Sequence, residues 1–154
     1  MRRYEYELFA DYFQFYLQDE PVGGNLGDSW TEEAVARLLA IAPGTVGVGT
    51  VRNMNVPVVV EVHDAEPTHD FDAWDHVTEC GLEVSSGVIV VAGCTDYFPE
   101  AARIEVPTGQ YRVRVSYGDL NSLSDDGLDG NDHYRVQLWP GIATKPTVIK
   151  ARTA

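Results

Sequence analysis

The sequence predicts a mainly β protein, an antiparallel β-sandwich of about nine strands with one α-helix near the N-terminus. Three observations carry this expectation. Short runs alternate apolar and polar residues with a period of two and are rich in aromatic and β-branched side chains. Clusters of Gly, Pro and Ser separate the runs at close intervals. A single stretch carries the start, periodicity and stop signals of a helix.

Residues 4–10 set Tyr4, Tyr6 and Leu8 against Glu5 and Glu7, and residues 12–18 set Phe13, Phe15 and Leu17 against Tyr12, Gln14 and Tyr16. Both patterns read as half-buried strands. Residues 21–28, with three glycines, read as a loop. In Ser29-Trp30-Thr31-Glu32 a capping box lets the Ser hydroxyl and Glu carboxylate satisfy free backbone N–H groups. Glu32 and Glu33 suit the positive end of the helix dipole. Ala34, Val35, Leu38, Leu39 and Ile41 make one apolar face, and Pro43-Gly44 stops the helix.

The rest reads as β. Strands are expected at 45–51 and 55–63, where Gly47 and Gly49 point to close backbone packing. Strands 75–84 and 87–92 are joined by Ser85-Ser86-Gly87 as a hairpin turn, and 102–106 and 110–117 by Pro107-Thr108-Gly109. In the latter strand Tyr111, Val113, Val115 and Tyr117 face one way, with Arg112, Arg114 and Ser116 opposite. The last clear strand is 133–139. Residues 1–141 read as one domain, and 142–154 as a basic, loosely held C-terminal tail.

The 154 residues hold 24 acids and 11 bases, a net charge of −13. Residues 4–144 carry all 24 acids but six of the bases, a net −18. Such a body repels phosphate backbones, which argues against nucleic acid and anionic membranes as partners, and it attracts basic proteins. With 44% hydrophobic residues and 10% aromatics the chain can build a core. Cys80 and Cys94 are too few for a disulfide scaffold and are expected as reduced thiols. No apolar segment follows Arg2 and Arg3, and the longest apolar runs, 56–60 and 88–92, are too short to span a bilayer. These features suggest a soluble cytoplasmic protein.

The strongest candidate site is residues 119–132, DLNSLSDDGLDGND, in which Asp119, Asp125, Asp126, Asp129 and Asp132 fall within fourteen positions. No frame gives the EF-hand pattern of alternate acids, Gly at six and Glu at twelve. A negative protrusion for a basic partner fits better, because loops carry function more often than strands. Residues 61–83 make a second acidic stretch, in which Asp70, Asp72 and Asp75 are the candidate patch. His63, His69 and His76 are interspersed, six and seven residues apart, unlike metal-ligand pairs on a helix or strand. Cys94 reads as a small buried hydrophobe rather than a nucleophile. Arg52 reads as half of an internal salt bridge, and Tyr12, Tyr16 and Trp139 as exposed aromatics of the kind that anchor interfaces. No catalytic residue, metal or cofactor is expected.

Three stretches resemble the competence protein J family: ADYFQFYLQDE (residues 10–20), WTEEAVARLLAIAPGTVGVGTVRN (30–53) and RIEVPTGQYRVRVSY (103–117). The pattern runs from about Tyr6 to Trp139. The resemblance implies a β-rich fold and a binding role, since the family's best-known member inhibits a DNA-entry nuclease. Together with the charge, it suggests an acidic inhibitor or immunity-like protein whose carboxylates occupy the basic nucleic-acid groove of a nuclease. The alternative is a small β-sandwich that binds a ligand such as a carbohydrate, assisted by Ca²⁺ at the Asp-rich loop.

Overall fold

A computed structural model of the chain describes residues 1–22 and 25–153. Gly23 and Gly24, within the expected loop at 21–28, lie outside the described residues. Among the described residues eleven strands form two sheets. The larger runs β1-β5-β10-β9-β6-β11, built from β1 Arg2–Phe9, β5 Asn55–Val62, β6 His76–Val84, β9 Gly109–Gly118, β10 His133–Pro140 and β11 Thr147–Lys150. The smaller runs β3-β4-β2-β7-β8, built from β2 Gln14–Asp19, β3 Leu39–Ala42, β4 Thr45–Gly49, β7 Val88–Gly93 and β8 Ala102–Glu105. Helix α1 spans Glu32–Arg37. The mainly β sandwich with one short α-helix is the expected fold. Among the described residues the pairings are antiparallel except that of β5 with β10, which run parallel.

The core lies between the sheets. Val56, Val58, Val113, Val115 and Tyr117 of the larger sheet pack with Phe15, Leu17, Val46, Val48 and Ile89 of the smaller. Phe15 meets Tyr134 edge-on at 6.0 Å between ring centroids. Gly47 and Gly49 allow the close approach expected of them. A Cβ on Gly47 would sit 2.7 Å from Leu26, and one on Gly49 would sit 3.1 Å from the Leu38 backbone.

Four local expectations need correction. The helix is capped by Thr31, whose Oγ1 accepts from the Ala34 N–H at 3.2 Å, not by Ser29. It ends at Leu38, which adopts φ 60° and sends residues 39–42 into β3. The Ser85-Ser86-Gly87 and Pro107-Thr108-Gly109 turns are not hairpins, because β6 and β9 belong to one sheet and β7 and β8 to the other. Both turns carry the chain across the sandwich. The basic tail is not loose: β11 pairs antiparallel with β6.

The sheet order explains how the outer face of the larger sheet is covered. The connection from β5 to β6 must cross β10 and β9. Outward-facing arginines hold it there. Arg135 grips Asp70 with two bonds of 2.6 and 2.7 Å and stacks on Trp74 at 4.7 Å. Arg114, fully buried, pairs with Glu66 at 3.0 Å and Glu79 at 2.9 Å and lies over Phe71 and Trp139. Trp139 is therefore 4% exposed, covered by arginines and not a surface aromatic.

Candidate functional site

The acidic connection joins the neighbouring antiparallel strands β9 and β10. Serines organise it, because a hydroxyl can donate and accept at once. Ser124 Oγ donates to Asp126 Oδ1 at 2.6 Å and accepts the Asp129 N–H at 3.0 Å. Ser122 Oγ donates to the Asp119 carbonyl at 2.7 Å and accepts the Asn131 N–H at 2.7 Å. Gly127 takes φ 73°, which lets the chain turn at its tip. The Ser124 hydroxyl and the Leu128 N–H hold the Asp126 carboxyl below its usual range.

Aspartates from outside and inside the connection fasten its two ends. Asp75 Oδ2 accepts the Leu120 N–H at 2.9 Å. Asp132 is fully buried, with Oδ1 2.8 Å from Arg52 Nε and Oδ2 accepting the Tyr134 hydroxyl at 2.7 Å. Asp132, a candidate partner-binding residue, is turned inward, with its charge paired to Arg52 inside the protein. The internal salt bridge expected of Arg52 is present, with Asp132 as its partner.

Of the expected residues, Asp119, Asp125, Asp126 and Asp129 are brought together on one exposed connection. Asp119 lies 3.8 Å from His133, and the side chains of Asp125 and Asp129 have no hydrogen-bond partner among the described residues. The second patch is narrower than the sequence suggests. Asp70 is held by Arg135, whose hydrogen bonds and charge keep the carboxyl below its usual range. Asp75 serves the connection, and Asp72 stays exposed. Other acids of the stretch are spent internally. Glu61 is buried with Gln137 and His63, and Glu79 binds Arg112 and Arg114.

The three histidines separate. His63 bonds Glu61, His69 bonds Glu66, and His76 is buried against the Arg37 carbonyl. Among the described residues no group of three or more His, Cys, Asp or Glu is arranged to hold a metal ion. Cys80 is buried, and burial pushes its thiol up to about 12. Cys94 is exposed, contrary to expectation, because β7 ends at Gly93 and the chain turns there through the Gly93 N–H to Asp96 bond of 2.8 Å. Cys80 lies within β6 of the larger sheet, and Cys94 just after β7 of the smaller. Among the described residues no helix is long and apolar enough to cross a membrane.

The period-two spacing of Phe13 to Phe15 sets them on one face of a half-buried strand, and the structure departs from that at Phe13. A 3-10 turn at Asp11–Phe13 breaks that period and leaves Tyr12 and Phe13 exposed. The break is visible as Ala10-Asp11, where two alternating runs meet.

No family model matches the chain, and no curated protein matches it. Two solved structures are similar. ComJ from Bacillus subtilis, an inhibitor of the DNA degrading activity of NucA, is 17% identical, with TM-score 0.68 over 92% of this chain and 96% of that one. The product of crocagin biosynthetic gene J is 20% identical, with TM-score 0.61 over 92% of this chain and 100% of that one. This chain has a ComJ-like fold.

Proposed function

We propose that this protein is an inhibitor, or immunity-like protein, that binds a basic nuclease and blocks its nucleic-acid groove. The observation that carries the reading is the ordered connection 119–132, which displays Asp119, Asp125, Asp126 and Asp129 to solvent on a fold shared with a nuclease inhibitor. Carboxylates spaced along a protrusion present negative charge much as a phosphate backbone does, and they compete for the same cations. Four of the chain's arginines are engaged elsewhere. Arg52, Arg112, Arg114 and Arg135 are all paired with other acids. Long-range attraction to a basic protein raises the association rate and weakens as salt screens it.

The test uses the purified chain with a NucA-type nuclease from the same genome, reading inhibition of DNA cleavage and binding across a salt series. The wild-type chain inhibits, with affinity falling steeply as salt rises. The D125N/D126N/D129N variant loses about tenfold or more in affinity and shows a flatter salt dependence, with an unchanged circular dichroism spectrum. Full inhibition by that variant would remove the connection from the interface. No inhibition by the wild type would remove the function.

A further inference from the structure

Beside the carboxylates lies an open apolar groove of about 670 Å³, walled by Tyr12, Phe13, Val35, Leu38, Leu120 and Leu123. Three of these side chains are exposed: Tyr12 by 70%, Phe13 by 53% and Val35 by 57%. Leu120 and Leu123 belong to the acidic connection itself, so the groove and the carboxylates share one element. The shared anchor continues behind it. The Tyr134 hydroxyl that donates to Asp132 also accepts the N–H of Val51, another groove residue, at 3.0 Å.

Backbone conformation marks the same place. Among the described residues, four that are not glycine adopt positive φ: Tyr12 and Phe13 at 58°, Leu38 at 60° and Asp119 at 51°. The first three line the groove, and the fourth precedes Leu120. The left-handed region is disfavoured for residues with a Cβ, and such residues gather at binding sites. Stability alone favours Gly or Asn at these turns. An aromatic pair stands there instead, pointed at solvent.

The charge around the groove selects its occupant. Asp11 precedes Tyr12, the exposed Glu32 and Glu33 start the helix that presents Val35, and Asp119 and Asp125 flank the leucines. Arg152 is the one cation among the lining residues. A second copy of this chain would set acid against acid, whereas a basic protein would not. We propose that the groove receives an apolar side chain projecting from the same basic nuclease, an inference that rests on the function read above. The carboxylates steer the encounter and the groove holds the complex. A desolvated apolar anchor acts on dissociation, while rim charges act on association.

The experiment compares binding kinetics of the wild type, Y12S, F13S, V35S and D125N/D126N/D129N against the purified nuclease, with circular dichroism confirming the fold. The groove variants change exposed side chains and should fold. They are expected to dissociate about 10–100-fold faster with association rate and salt slope unchanged. The Asn variant slows association and flattens the salt slope. Groove variants that dissociate like the wild type overturn the groove proposal and leave the nuclease reading standing. A wild-type homodimer that the groove substitutions dissolve would seat a second copy in the groove and overturn the proposal. A wild-type chain that binds no nuclease overturns both readings.

Discussion

Asp132 and Arg52 show what a buried ion pair does at the root of a functional loop. Their side chains are 0% and 10% exposed, so removing either leaves the other uncompensated in a poor solvent. Such truncations cost about 3–5 kcal/mol, whereas replacing both partners with apolar residues of similar size is often tolerated. Asp132→Ala should lower stability in urea by about that amount, and R52M/D132L should recover most of it. If D132A unfolds at the wild-type midpoint, the pair does not anchor the loop. In the sequence Asp132 is indistinguishable from Asp125 or Asp129, because nothing local records a partner far along the chain. Asp19 teaches the same lesson. It is buried and accepts two backbone N–H groups and two hydroxyls from Ser85 and Ser86, fixing the turn where the chain leaves one sheet for the other. Burial alone would raise its carboxyl, but these four bonds hold it below the usual value.

At the scale of elements, the last strand depends on a histidine. His76 bonds the Arg37 carbonyl through Nε2 at 2.8 Å, and its Nδ1 accepts the Arg152 N–H at 3.1 Å. Those roles fix a neutral ring with the proton on Nε2. Burial, with the nearby Arg152 charge, lowers its basicity below the ordinary 6.5, although the Arg37 carbonyl opposes the shift. The unfolded chain thus takes up a proton at a pH where the folded one does not. The stabilisation is complete above pH 6.5 and is lost as pH falls below it toward the depressed folded value. The slope is at most about 1.4 kcal/mol per pH unit. Hydrogen-exchange protection factors at 147–152, corrected for the intrinsic slowing of exchange in acid, should therefore fall as pH drops below 6.5 before those of β9 do. An H76Q variant should lose that difference. Protection factors at 147–152 that stay flat with pH would show that His76 does not hold the strand. The strand was not legible because its Thr-Val-Ile run is short and sits in a basic tail, and its partner β6 comes much earlier. The β3 strand was hidden differently. Leu38, Leu39 and Ile41 continue the helical spacing, and only the left-handed turn at Leu38 shows that the helix has stopped.

Across the whole molecule, charge acts on stability and on binding with opposite signs. The sequence made the amount of charge plain, and the alternation along β1, β2 and β9 made most of the sandwich plain. It did not show which acids are free. That depends on the β5-β6 crossing, where Arg114 and Arg135 engage Glu66, Glu79 and Asp70, while Asp125 and Asp129 of the β9–β10 connection have no arginine partner among the described residues. A chain of net −13 repels itself in the folded state, and salt relieves that repulsion within a screening length of about 10 Å at 0.1 M. Raising salt from about 0.02 M to about 0.5 M should therefore stabilise the free chain by about 1 kcal/mol, or about 2–4 °C in Tm. The same change should weaken the complex with a basic nuclease. A D125N/D129N variant removes two exposed negative charges that make no side-chain hydrogen bond among the described residues, so it should gain stability at low salt and respond less to added salt, even as it binds more weakly. Thermal melts of both proteins in parallel with binding titrations separate these effects. A variant that loses stability and binding together would mean that the aspartates hold the loop's shape, not that they present its charge.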